Sequence, residues 1–268
     1  MTRAHEVDFK IYGDDMQFVE IELDYGESII AEAGAMMYMD ADIEMDTIFG
    51  DGSGKDAGKG LMGKLVGAGK RALTGESLFM SVLTNKGREK SKVAFAAPYP
   101  GKIVPMNLTD YNSQIICQKD AFLCAAKGIS VDIAFQKKIG AGLFGGEGFI
   151  MQKLSGDGLS FLHAGGTIIQ KDLQAGQVLK IDTGCLVAMT SNISYDIEFV
   201  GKIKSALFGG EGLFLATLRG PGSVWLQSLP FSRMADRIFA ASKVGGGKSK
   251  GEGSLLGDIG LGDFFNRD

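Results

Sequence analysis

The 268 residues hold only two histidines, three cysteines and one tryptophan. His5 and His163 cannot fill out a zinc site, and with no clustered partners they do not compose a His-dependent triad. Cys117, Cys124 and Cys185 are odd in number and form no CxxC pair. Each lies in an apolar run, "QIICQKDAFLCAA" or "DTGCLVAM". They therefore read as small buried hydrophobes in a reducing compartment, not as a disulfide framework, metal ligands or a nucleophile. No apolar stretch approaches the roughly 18–20 residues of a membrane-spanning helix. The opening "MTRAHEVDFKIYGDD" carries an acid by Glu6 and has no apolar core, so a signal peptide is not expected. Excess positive charge is absent too: the net charge is −4, which gives no electrostatic case for a nucleic-acid partner. A cytoplasmic protein is the expectation.

Glycine is what the chain has in excess. Forty glycines are about twice the usual share of roughly 7%. With 45% hydrophobic residues, that composition suits short strands joined by tight turns around a substantial core. The hexapeptide "LFGGEG" occurs at 143–148 and again at 207–212. The identity extends outward: Asp132 matches Asp196, Phe135 matches Phe199, Lys138 matches Lys202 and Leu154 matches Leu218, all at an offset of 64. Upstream, "IICQKDAFLCAA" parallels "LKIDTGCLVAMT" at the same offset. A weaker third copy lies earlier. "ADIEMDT" at 41–47 resembles "VDIAFQK", and "TGESLFMSVLTNKG" at 74–87 resembles "GGEGFIMQKLSGDG". Aligning Asp42 with Asp132 and Glu76 with Glu147 gives copy one about 19 extra residues, the Gly/Lys-rich run 50–71. The expected architecture is all-β, three tandem pseudo-threefold antiparallel sandwich modules with a short inserted helix and a C-terminal helix. The expected extents are 1–103, 104–166 and 167–230 for the modules, then helix, Gly-rich linker and apolar tail over 231–268. Gly156-Asp157-Gly158 and Gly220-Pro221-Gly222 are expected as equivalent hairpin turns.

Several motifs invite chemistry and lose it on inspection. A phosphate loop needs backbone amides at a helix N-terminus, but the residues after "GGEG" read as strands. Glu76, Glu147 and Glu211 are therefore expected to tie equivalent corners. "GKGLMGKL" at 58–65 fits a P-loop except that Leu65 stands where Ser or Thr must hold magnesium. "GGGKS" at 245–249 has Ser242 in place of the first glycine, so nucleotide binding is not expected. His163 aligns with Gln227, which points to a satisfied polar or surface position and not a base. The segment 59–73 is expected to wind into a helix with Leu61, Met62, Leu65, Val66, Ala72 and Leu73 on one arc and Lys59, Lys64, Lys70 and Arg71 on the other. Such a helix packs on the protein's own body, docks on a partner or lies on an anionic membrane. After Pro230, Phe231, Met234, Ala235, Ile238 and Phe239 share one helical face. The apolar "LLGDIGLGDFF" ends the chain and calls for cover by the body, a neighbour or a partner.

Taken together, "RALTGESLF", "LFGGEG", "LRGPGSVWLQSLPFSRMADRI" and the "LLGD" tail resemble the bacterial and mitochondrial family named for altered inheritance of mitochondria, or mitochondrial biogenesis, a domain of unknown function. The resemblance runs from about residue 5 to 243. It implies a fold similar to the tryptophan-RNA-binding attenuation protein, and mitochondrial relatives linked to inner-membrane organisation. This chain shows no transit peptide, as expected of a bacterial member. The family offers no catalytic residues to carry over, and fold similarity does not transfer RNA binding to an acidic chain. The resulting expectation is a non-enzymatic scaffold or interaction protein with no catalytic, metal or cofactor site. Protein partners or self-association and peripheral lipid contact through 59–73 are expected, without nucleic acid or nucleotide. The alternative is a small-ligand module or cryptic enzyme with a pocket between repeats, recognised by carboxyl groups of different copies converging with raised pKa values.

Overall fold

The computed structural model describes residues 3–49, 79–137, 149–199 and 214–242. The "LFGGEG" segments, the 50–71 insertion and the tail at 255–265 lie outside them. Copy one comprises β2 (Phe18–Leu23), β3 (Ser28–Glu32), β4 (Met36–Met39), β5 (Ile43–Phe49), β6 (Phe79–Asn85) and β7 (Ser91–Ala96), preceded by an extra strand, β1 (Asp8–Tyr12). Copy two comprises β8 (Gly101–Asn107), β9 (Gln114–Gln118), β10 (Phe122–Ala126), β11 (Ser130–Lys137), β12 (Phe149–Ser155) and β13 (Leu159–Gly165). Copy three comprises β14 (Ile168–Leu173), β15 (Val178–Asp182), β16 (Leu186–Thr190), β17 (Ser194–Phe199), β18 (Phe214–Arg219) and β19 (Gly222–Gln227). Because β8 starts at Gly101, the first module ends before the boundary expected at 103. A helix, α1 (Phe231–Ser242), follows, and from Ser232 onward the chain forms a separate unit.

Alternation writes the strands. In β2, Val19, Ile21 and Leu23 are fully buried while Glu20 and Glu22 point outward, the period of a sheet with one wet face. The strands of each copy divide between two sheets. Two pairings recur in every copy, first strand with sixth and fourth with fifth: β2 with β7, β8 with β13 and β14 with β19; β5 with β6, β11 with β12 and β17 with β18. The loops expected as hairpin turns are a correction. β12 and β13 lie in different sheets, as do β18 and β19, so Gly156–Gly158 and Gly220–Gly222 carry the chain across the sandwich. Short glycine turns join face to face as readily as edge to edge, and alternation cannot tell the two apart.

The copies are joined by one device. β10 of copy two pairs with β3 of copy one, Cys124 opposite Ala31, Ala125 opposite Ile30 and Ala126 opposite Ile29. β16 of copy three pairs with β9 of copy two, Ala188 opposite Cys117, Met189 opposite Ile116 and Thr190 opposite Ile115. The register is the same in both. The results are two six-stranded sheets, ordered β5-β6-β3-β10-β13-β8 and β11-β12-β9-β16-β19-β14, flanked by β1-β2-β7-β4 and β15-β18-β17. Strands at the joints face core on both sides, which is why all five residues of β10 are buried.

The structure also corrects the alignment of copy one. Ile43, Ile129 and Ile193 are each buried, and each donates its amide to the carbonyl three residues back, of Asp40, Ala126 and Thr190. A β-bulge falls at Met36/Tyr38, Phe122/Cys124 and Leu186/Ala188. These landmarks place copy one 86 residues before copy two through β5, so Asp46, and not Asp42, is the counterpart of Asp132 and Asp196. In β6 the offset is 71, as the similarity of 74–87 to 145–158 implied. The extra length is the difference between those offsets, 15 residues in place of about 19. An aspartate on a strand's wet face is a poor register mark. The buried isoleucine that ends the turn is a good one.

Gly101 opens β8 and Gly165 closes β13, opposite each other in the ladder. A methyl on Gly165 would collide with the Leu229 carbonyl, and one on Gly101 with the Ala164 carbonyl. Backbone cannot retreat as a side chain can, so Gly165→Ala is expected to cost about 1–3 kcal/mol, read as a lowered urea midpoint with unchanged slope. An unchanged midpoint would show that this corner is loosely packed.

Candidate functional site

Between copies one and two, at the end of the first joint, lies a cleft of about 300 Å³. Two successive connections build it. Copy one runs from β3 to β4 through Ala33, Gly34 and Ala35, whose small side chains leave space. Copy two reaches β10 through a 3-10 turn, Lys119–Ala121, that carries Asp120 to the rim. Glu32, at the last position of β3, and His163, on β13, supply its polar walls, while Met36, Met37 and Phe122 supply apolar ones.

The electrostatics of Glu32 are those of a carboxyl group without adequate water. Burial, with the Asp120 carboxylate nearby, pushes its pKa up to about 7, and Lys119 only partly offsets this. Tyr99 is pushed up to about 12 by burial and by the same two carboxylates. His163 moves the other way. Burial lowers it to about 4, against the pull of the Tyr99 backbone carbonyl, so its ring is neutral at neutral pH. The Tyr99 ring stands edge-on to it, with centroids 4.4 Å apart.

His163 is only 1% exposed, and neither ring nitrogen makes a well-formed hydrogen bond, although the Tyr99 backbone lies close enough to offset part of its lowered pKa. The expectation of a satisfied polar or surface position is therefore corrected. Its counterpart explains how this arose. Gln227 donates from Nε2 to the Gly184 carbonyl and accepts at Oε1 from the Gly165 amide, both at 2.8 Å. The residues equivalent to Gly184 and Gly165 are Asp120 and Pro100, since Ile103 stands opposite His163 as Ile168 stands opposite Gln227. Pro100 has no amide hydrogen to donate, and the next amide, of Gly101, donates to the Asp15 carbonyl at 2.7 Å just as Gly166 donates to the Pro100 carbonyl at 3.2 Å. An imidazole also lacks the reach of a primary amide. The corner that Gln227 closes in copy three is thus left open in copy two.

This arrangement presents a protonatable carboxyl, a second carboxylate, a buried neutral imidazole, and a wall of two thioethers and a phenyl ring. It suits a small molecule with a cationic or hydrogen-bonding end and a short apolar body. Among the described residues no group of three or more His, Cys, Asp or Glu side chains is arranged to hold a metal. His5 is used structurally, its Nδ1 accepting from the Ser28 amide at 2.8 Å. Burial raises the thiols of Cys117 and Cys124, as expected of small core residues, while Cys185 is half-buried. Sequence reading did not single out Glu32 or Asp120. The available signal was divergence between copies: Glu32, Gln118 and Asp182 are equivalent, as are Gly34, Asp120 and Gly184.

Comparison with known proteins agrees with this architecture. A profile described as mitochondrial biogenesis AIM24 matches residues 9–229. An uncharacterized protein of Streptococcus pyogenes serotype M6 is 32% identical over 229 residues, covering 83% of this chain and 86% of the relative. A crystal structure of a Streptococcus pyogenes protein superposes with a TM-score of 0.70 at 27% identity, covering 88% of this chain and 100% of that one. No helix among the described residues is long and apolar enough to cross a membrane.

The two titrating groups of the cleft act on stability in opposite directions. Glu32 binds its proton more tightly folded than unfolded, so the stability it contributes at low pH is lost as pH rises from about 4.5 to about 7. His163 is depressed, so its penalty grows as pH falls from 6.5 to about 4. Glu32→Gln is expected to raise the thermal midpoint relative to the parent at pH 8 and to lose that advantage at pH 4, by scanning calorimetry. An equal effect at both pH values would refute a buried carboxyl with a raised pKa.

Proposed function

Because the chain belongs to the mitochondrial biogenesis AIM24 family, we propose that it works without catalysis, as a scaffold or interaction protein that engages partners through exposed apolar residues of copy one. One observation carries this reading. Every residue of β10 and four of five in β16 are buried, yet none of their equivalent, β4, is. Met37, Tyr38 and Met39 are exposed on it, and Met16 and Met45 are exposed elsewhere in the same copy. Flexible thioethers suit surfaces that adapt to a partner. Membrane proximity belongs to the same proposal through the basic amphipathic segment 59–73.

A second reading is supported by a different observation. Glu32 of copy one and Asp120 of copy two converge in a cleft with His163, the former with a raised pKa. That is the feature that distinguishes a small-ligand module from a pure scaffold. Its occupant would be a small amine or a comparable hydrogen-bonding molecule, detectable as an added mass on the protein in native mass spectrometry and lost in Glu32→Gln.

Met37→Asp combined with Met39→Asp is expected to weaken capture of partners at least about tenfold, with the fold retained because both positions are exposed. Capture unchanged by the pair would end the β4 reading. Flotation on anionic vesicles with and without residues 50–71 tests the membrane part, and equal flotation of the two forms would remove the insertion from it.

A further inference from the structure

Among the described residues, β4 and β15 have a property shared by no other strand. The counterparts of β4, which are β10 and β16, are each paired on both sides, whereas the one described partner of β4 is β7. The counterparts of β15, which are β3 and β9, are likewise paired on both sides, whereas the one described partner of β15 is β18. The other edge strands are edges in every copy where their equivalents occur, or, in β2, are covered by β1. Thus the chain makes the same joint twice and carries the two halves of a third, unjoined, at the ends of two different sheets.

The halves have the character of joint strands. β3 has four of five residues buried and β9 has two, but β15 has none. Leu179 is half-exposed where its counterparts Ile29 and Ile115 are fully buried. Tyr38 is 37% exposed where Cys124 and Ala188 are fully buried. Val178 and Met39 are exposed as well. An unpaired edge with apolar side chains templates pairing with another chain, and these edges carry no proline or bulge that forbids it along Tyr38–Asp40 or Leu179–Ile181.

We propose that β4 of one molecule pairs antiparallel with β15 of a second copy of this chain, repeating the internal joint. This names the partner for the β4 reading above and rests on it. The register follows from the two joints already formed. Cys124 opposite Ala31 and Ala188 opposite Cys117 translate to Tyr38 opposite Ile181. Met39 then faces Lys180 and Asp40 faces Leu179. Tyr38 meets Ile181 and Leu179 on one face of the new ladder, and Met39 lies along the stem of Lys180 on the other. The contact is head-to-tail, with different surfaces on the two partners. Each added molecule therefore offers a fresh β4 and a fresh β15, and assembly continues until a ring closes.

The test places one cysteine on each side of the joint in a Cys185→Ser background, since Cys117 and Cys124 are buried. Met39→Cys and Lys180→Cys are prepared as separate proteins, mixed and oxidised mildly. A disulfide-linked heterodimer is expected, at least about tenfold above either protein alone, because pairing raises the local thiol concentration. The chain carrying both substitutions is expected to give linked dimers and higher species. A mixture that stays unlinked overturns the proposal, and so does a double variant that closes its disulfide within a single chain. Sedimentation of the unsubstituted chain provides a measurement free of any mutation: average mass rising with concentration is expected, and monomer throughout overturns the joint. The wider interaction reading fails separately, when Met37→Asp with Met39→Asp leaves the capture of other proteins unchanged.

Discussion

The backbone ladder between a strand of one copy and a strand of the copy before it is the constraint from which the rest of the structure follows. A single copy has two small sheets and cannot bury both faces of either. Extending each sheet into the neighbouring copy produces six strands and places core on both sides of the central ones. β10 is buried at every residue for that reason. The joint residues accordingly set small side chains against large ones at the crossing, Ala125 and Ala126 opposite Ile30 and Ile29, with Cys124 opposite Ala31. A buried charge anywhere in that ladder would face hydrocarbon on both sides of the sheet, with no route to water.

Much of this was legible in the sequence, for a physical reason. Copies two and three keep the joint, the bulge and the turn at one spacing, so the offset of 64 survives from "IICQ" to "LSGDG" without a gap. Copy one has diverged most on exposed strands, and there the reading slipped. Asp42 matched by letter, while the position fixed by packing was Ile43, buried at the turn with Ile129 and Ile193. The sequence also suggested hairpins at glycine turns that in fact cross the sandwich. A turn fixes the direction of the chain over a few residues. Whether the next strand lies beside the last or opposite it depends on partners far away in sequence, such as β9 for β12 and β8 for β13.

The cleft was invisible for a related reason. Neither Glu32 nor Asp120 stands in a recognisable motif, and only the joint brings them together. His163 was visible as the partner of Gln227, and duplication argued that the two would play the same part. They do not, because hydrogen bonding depends on reach and on whether a donor is present at all. Gln227 spans the Gly165 amide and the Gly184 carbonyl, whereas Pro100 stands in the place of Gly165 and has no amide hydrogen. A proline at that corner of copy two thus releases a buried imidazole from the structural role of its counterpart.

Repetition and divergence therefore act at different places. Selection for the fold holds the joint strands, the bulges and the buried isoleucines alike in all copies, since any change there exposes a sheet face. The first and last copies escape part of that demand, because β4 lacks a preceding copy and β15 lacks a following one. Under that relaxed demand alone, both edges would be expected to become polar, blunting their tendency to pair. β4 has instead kept "MMYM", and β15 has kept an apolar residue at Val178, Leu179 and Ile181. Apolar side chains retained on exactly the two strands that match each other argue for cover by something complementary to both, and the surface complementary to β4 is the one the chain already presents on β15.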